Sequence, residues 1–132
     1  MPVNFEDDRT ILDDWRLLRR INRAWIVPDG QGGTRVTSQA FQNLSRDPPA
    51  LSVHLENVLQ ERGLQIVSVL DGMPTHSLVA IYAGVVRAHS QVVQRAPEDA
   101  EPAHAHVVGD KSKSAKSRLA EAAVWIFQAP SD

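Results

Sequence analysis

A chain of 132 residues, 42% of them hydrophobic and with both charge signs interspersed, can bury a core of its own, which excludes a disordered polypeptide. Its formal net charge of -2 excludes a generic nucleic-acid coat, and the absence of cysteine excludes disulfides, thiol catalysis and cysteine-ligated zinc. One domain spanning 1–132 is expected, with residues 1–9 loose.

In chain order, MPVNFEDDRT has neither the basic nor the apolar part of a secretory signal. Thr10 with Asp13 matches a helix capping pair. Ile11, Trp15 and Leu18, joined by Leu12 and Ile21, repeat at helical spacing, so a helix is predicted over 10–22. Trp25 to Pro28 reads as a short extended segment, Asp29 to Gly33 as a turn and Arg35 to Ser38 as a weak return strand. Ser45 to Pro49 reads as a loop.

A helix capped by Ser52 and ended by Gly63 is predicted next, although Leu51, Val53 and Leu55 also alternate as a strand would. Gln65 to Leu70 and Leu78 to Ala83 read as strands. A helix over 77–89 is the alternative for the second, because periodicity does not separate the two in so short an apolar run. The longest apolar stretch, Leu78 to Val86, is broken by Tyr82 and Gly84 and is far too short for a membrane span. Val92 to Arg95 and Ala103 to Val108 are further strands. The last helix opens at Ser114 and carries Leu119, Ala122, Ala123 and Ile126 on one face. The predicted class is α+β: a small, mostly antiparallel sheet of three to five strands with N- and C-terminal helices packed on it.

Three groups of residues carry chemistry. His104 and His106, two apart on a strand, project from one face and can address one ligand as an acid/base pair. They can also share a metal ion if Asp99, Glu101, Asp110 or another histidine supplies a third donor. The other reading is one solvent-facing and one structural histidine. His54, His76 and His89 read as surface or boundary residues.

The second group is Gly109, Lys111, Ser112, Lys113 and Ser114, at a predicted helix start, where free backbone N–H groups attract phosphate. The P-loop pattern is absent and Asp110 opposes an anion, so a solvated cap is the competing reading. The third group, Arg16, Arg19, Arg20 and Arg23, falls on one stripe of the predicted first helix. That ridge would meet an acidic protein partner or nucleic-acid phosphates.

The segment His104-Ala105-His106-Val107-Val108 is similar to the motif of the histidine-triad nucleotide hydrolases. The third histidine of that motif would fall at Val108, so the assignment is rejected. The run from Arg95-Ala96-Pro97 through Pro102-Ala103-His104-Ala105 to Val108-Gly109 and the lysine-rich helix start resembles a group of small bacterial proteins of unknown function. That resemblance extends from Trp25 onward and implies no activity.

The expected function is a non-enzymatic, cytoplasmic protein-interaction module without cofactor, binding through the arginine ridge and through exposed apolar side chains such as Trp125 and Phe127. The alternatives are a small hydrolase or phosphate-ligand-binding protein using His104, His106 and the Lys111–Ser114 loop, and a nucleic-acid binder using the ridge. The oligomeric state is left open.

Overall fold

A computed structural model of the chain describes residues 5–130. The fold is dominated by sheet. A seven-stranded antiparallel sheet contains β1 (Arg16–Ile21), β4 (Ser45–Arg46), β5 (Pro49–Leu55), β6 (Ser77–Tyr82), β7 (Val92–Arg95), β8 (His104–Val108) and β9 (Val124–Phe127). The order is β7-β8-β5-β1-β6-β9, with β4 added to β5. A separate hairpin joins β2 (Ile26–Pro28) to β3 (Thr34–Val36). The α-helices among the described residues are short: α1 (Glu56–Glu61), α2 (Ala83–Ala88) and α3 (Lys113–Ala122). No helix among the described residues is long and apolar enough to cross a membrane.

This overturns the predicted small sheet flanked by terminal helices. The predicted first helix is the central strand β1, with β5 on one side and β6 on the other. A strand with apolar residues buried on both faces shows no clean alternation. Leu17, Leu18 and Ile21 are all fully buried. Their spacing, together with Trp15 and Ile11, imitates a helical face. The cap belongs to Asp8, whose carboxylate accepts from the backbone N–H and hydroxyl of Thr10 in an ordinary turn.

The chain end differs in the same sense. Helix α3 stops at Ala122, and Val124-Trp125-Ile126-Phe127 pairs with β6. A β-branched and aromatic run is strand material, and that preference outweighs the i, i+3, i+4 coincidence that had placed Ile126 on the helix. Residues Leu51 to Leu55 take the strand alternative, followed by α1, and Gly63 ends this segment at φ +68° as expected. Gln65 to Leu70 is largely a 3-10 helix and not a strand. Over 77–89 both readings hold in succession, β6 and then α2. The strands expected at 92–95 and 103–108 and the 26–36 hairpin are present.

Register explains the core. Leu17 lies opposite Leu55 and Ile81, Leu51 opposite Val107, and Val107 opposite Val93. These side chains form one dry face of the sheet. The other face carries a polar row, described below. Residues 1–4 lie outside the described residues. Residues 6–8, expected to be loose, run along the edge strand β7: Asp8 N–H donates to Val93 O and Gln94 donates to Glu6 O, while Asp7 accepts from Val93 N–H. Arg87 clamps this segment by donating to Asp7, to Asp8 O and to Asp13.

Two substitutions test this framework. Glu56 is buried at the start of α1 and receives Nε of Arg16 at 2.8 Å and Nη2 on its second oxygen. Glu56→Ala strands that guanidinium and should cost about 2 kcal/mol, read as a lower urea midpoint. Gly109 has φ +145°, and a Cβ there would meet Gln91 Oε1 at 2.8 Å. Gly109→Ala should cost about 1–3 kcal/mol by the same measurement, and a midpoint equal to that of the parent would contradict this packing.

Candidate functional site

The β1/β5 ladder is short. It pairs Leu17 with Leu55 and Leu18 with His54 and goes no further. Beyond that point β1 continues against β6 alone, while β5 continues against β8 and β4. The parting strands leave backbone acceptors without a ladder partner, and Arg19 fills the gap. Its Nε donates to Ala40 O and its Nη1 to Ser52 O, both at 2.9 Å. Arg19 is 4% exposed, the Trp25 ring centroid lies 5.5 Å from its guanidinium carbon, and Nη2 has no hydrogen-bond partner. No carboxylate pairs with it among the described residues. Burial, and then the nearby Arg20 charge, lowers its pKa to about 10.

A cleft of about 260 Å³ opens here, lined by Arg19, Arg20, Asn22, Trp25, Ser52, His54, His76 and His104, with Leu44 and Met73. No acidic residue lines it. A second cleft of about 310 Å³ adjoins it through Arg20 and His54 and reaches Glu98 and Glu101. A larger cleft of about 670 Å³ lies between Thr34–Ser38 and α3 with β9, but its two charged residues, Arg35 and Glu121, are exposed to solvent.

His104, His54 and Leu18 are direct cross-strand neighbours, and His106 lies opposite Ser52 and Gln94. The three imidazoles pack edge to face, with centroids 5.6 Å apart for His54 and His104 and 5.1 Å apart for His104 and His106. The expected alternation therefore holds: both histidines of β8 project from one face. His104 Nδ1 lies 2.9 Å from Ala96 O. His106 lines neither of the two adjoining clefts.

His54, expected at the boundary, is 3% exposed, and neither ring nitrogen has a hydrogen-bond partner. Nε2 stands 3.5 Å from Glu101 Oε1 and makes no hydrogen bond with it. Arg20 binds that same oxygen and also donates to Val69 O. Burial, then Arg20, pushes the His54 imidazole down to about 4, against the opposing pull of Glu101.

The other predicted residues are distributed differently. The arginine ridge does not exist as one stripe, because the helix beneath it is a strand. Arg16 pairs with Glu56, Arg20 with Glu101, Arg19 is buried, and Arg23 donates to Pro130 O. In the 109–114 loop, Lys111 Nζ donates to Asn43 Oδ1, to Gly109 O at 3.0 Å and to Val107 O at 3.3 Å, tying the end of β8 to the segment before β4. Burial, and then Arg19, lowers its pKa to about 8. Ser112, not Ser114, caps α3 by accepting from Ala115 N–H. Lys113 and Ser114 are exposed, and no residue of this loop lines the cleft that holds His104. Phe127 is exposed, whereas Trp125 is half-buried and donates to Thr34 O.

Compared with known protein families, curated proteins and solved structures, the chain matches none. Function is therefore argued from the site alone.

A pH dependence follows from His54. Its unfolded pKa is near 6.5 and its folded value is about 4, so below pH 6.5 the unfolded chain takes up a proton that the folded chain refuses. Its contribution to stability is intact above pH 6.5 and is lost as pH falls toward 4. Urea midpoints of metal-free protein should drop across that window, and His54→Gln should flatten the drop. An identical slope in the variant would remove His54 as its cause.

Proposed function

We propose that this chain binds an anionic small molecule, bearing a phosphate or a carboxylate, in the cleft where β1 and β5 part. The observation that carries this reading is Arg19: a buried guanidinium with two carbonyl acceptors, a spare Nη2 and no carboxylate partner among the described residues. A buried charge without a counter-ion is costly, and an anion in the cleft removes that cost. The surroundings suit such a ligand. The lining offers Arg20, Asn22, Ser52, His76 and His104 as donors and no competing acid. His76 Nδ1 is buried and unpartnered, and Trp25 supplies an aromatic wall.

Binding to a protein partner through an arginine ridge loses its support, because Arg16, Arg19 and Arg20 are each engaged within the fold. The same holds for nucleic acid held by that ridge.

The test is titration of metal-free protein with inorganic phosphate, citrate and adenosine monophosphate, read by intrinsic tryptophan fluorescence and by thermal midpoint. At least one should bind saturably and raise the midpoint. Arg19→Gln and His76→Ala should each weaken binding by about ten-fold or more, with Trp25→Phe removing the fluorescence response. His76 is only partly buried, so its variant keeps the test decisive if Arg19→Gln unfolds. Absence of binding across the panel, or equal affinity in the His76 variant, would overturn the proposal.

A further inference from the structure

The acidic loop between β7 and β8 is closed on itself. Glu98 N–H donates to Glu101 O, Glu101 N–H donates back to Glu98 O, both at 3.0 Å, and His104 N–H donates to Glu101 O at 3.1 Å. Prolines at 97 and 102 flank the turn. This clasp brings three side chains to one point: ligand atoms of Glu98, Glu101 and His104 lie within 4.8 Å of one another. Two carboxylates and an imidazole on one rigid turn are a mixed oxygen and nitrogen donor set.

A second observation is independent of the loop. His54 approaches Glu101 of this group from β5, where it is the cross-strand neighbour of His104. Its side chain is 4% exposed, both ring nitrogens lack a partner, and Nε2 stops 3.5 Å from Glu101 Oε1. A buried imidazole without a hydrogen bond, aimed at a carboxylate, lacks the partner that a cation would supply. Arg20 and His54 both address Oε1 of Glu101, which leaves Oε2 for coordination. Glu98 is 60% exposed along its side chain, so the point is open to solvent on that side.

We infer that Glu98, Glu101 and His104, with His54 as a fourth donor, form a site for a divalent transition-metal cation, of the zinc or manganese type. The imidazoles favour these over magnesium or calcium, which take oxygen donors. The site shares His54 and His104 with the wall of the anion-binding cleft, but Glu98 and Glu101 line the neighbouring cleft, and neither Arg19 nor His76 belongs to the metal site.

Untagged full-length protein stripped with chelator is titrated with zinc chloride in calorimetry, with magnesium chloride as the contrast. Cobalt(II) serves as a spectroscopic probe through its visible absorption. About one zinc per chain should bind, the thermal midpoint should rise, and magnesium should fail to compete. Glu98→Ala, an exposed change that leaves the fold intact by circular dichroism, should weaken zinc by more than about ten-fold, and His104→Ala should abolish the cobalt spectrum. His76→Ala should leave zinc binding unchanged, which separates failure of this site from failure of the anion cleft. No zinc bound, affinity unchanged in Glu98→Ala, or loss on His106→Ala with Glu98→Ala silent would each overturn the inference.

Discussion

The shape of the molecule on its functional side depends on one constraint: β1 and β5 stop pairing after Leu18 and His54, and the acceptors exposed by the parting must still be bonded. Arg19 meets that requirement from the centre of the sheet, bridging Ala40 O on the 3-10 turn at 38–41 and Ser52 O on β5. A guanidinium suits this place because its planar fork reaches two carbonyls at once. The same placement leaves a charge in the interior without a counter-ion and a cleft beside it.

The other charges on and around the central strand follow a different logic. Arg16 and Arg20 each lie two residues from Leu18 along the strand, on the face opposite Arg19, and each meets a carboxylate from a neighbouring element, Glu56 at the start of α1 and Glu101 before β8. Arg87 ties down the N-terminal segment that covers the β7 edge, which would otherwise offer free backbone groups to another chain. These pairs are satisfied and serve the fold. Arg19, His54 and His76, which line one cleft, carry polar atoms that remain unmet inside the protein, and both proposed binding functions grow from that contrast. Their clefts share Arg20 and His54 as a common wall.

Parts of this arrangement were legible before any coordinates. The alternation of His104 and His106, the hairpin at 26–36, the strands at 92–95 and 103–108 and the stop at Gly63 are local properties, written in turn residues and period-two patterns of a few neighbouring positions. The site was legible only in part. His104 and a third donor at Glu101 are among the candidates the sequence offers, whereas nothing in it singles out Glu98, and His54 reads as a surface or boundary residue. The Ser52–His54 alternation next to Leu51, Val53 and Leu55 was the available signal for the latter.

By itself, the sequence determined a cysteine-free chain with a core of its own, its main turns and several of its strands, because those follow from composition and from contacts close along the chain. Tertiary structure alone decided that residues 16–21 are a central strand and that Arg19 is interior, because adjacent buried residues such as Leu17 and Leu18 break the strand alternation and fit either conformation locally. It also decided that His54 lies beside the group of Glu98, Glu101 and His104, since cross-strand register between β5 and β8 joins positions 50 residues apart (104 minus 54), a distance over which no local periodicity carries information.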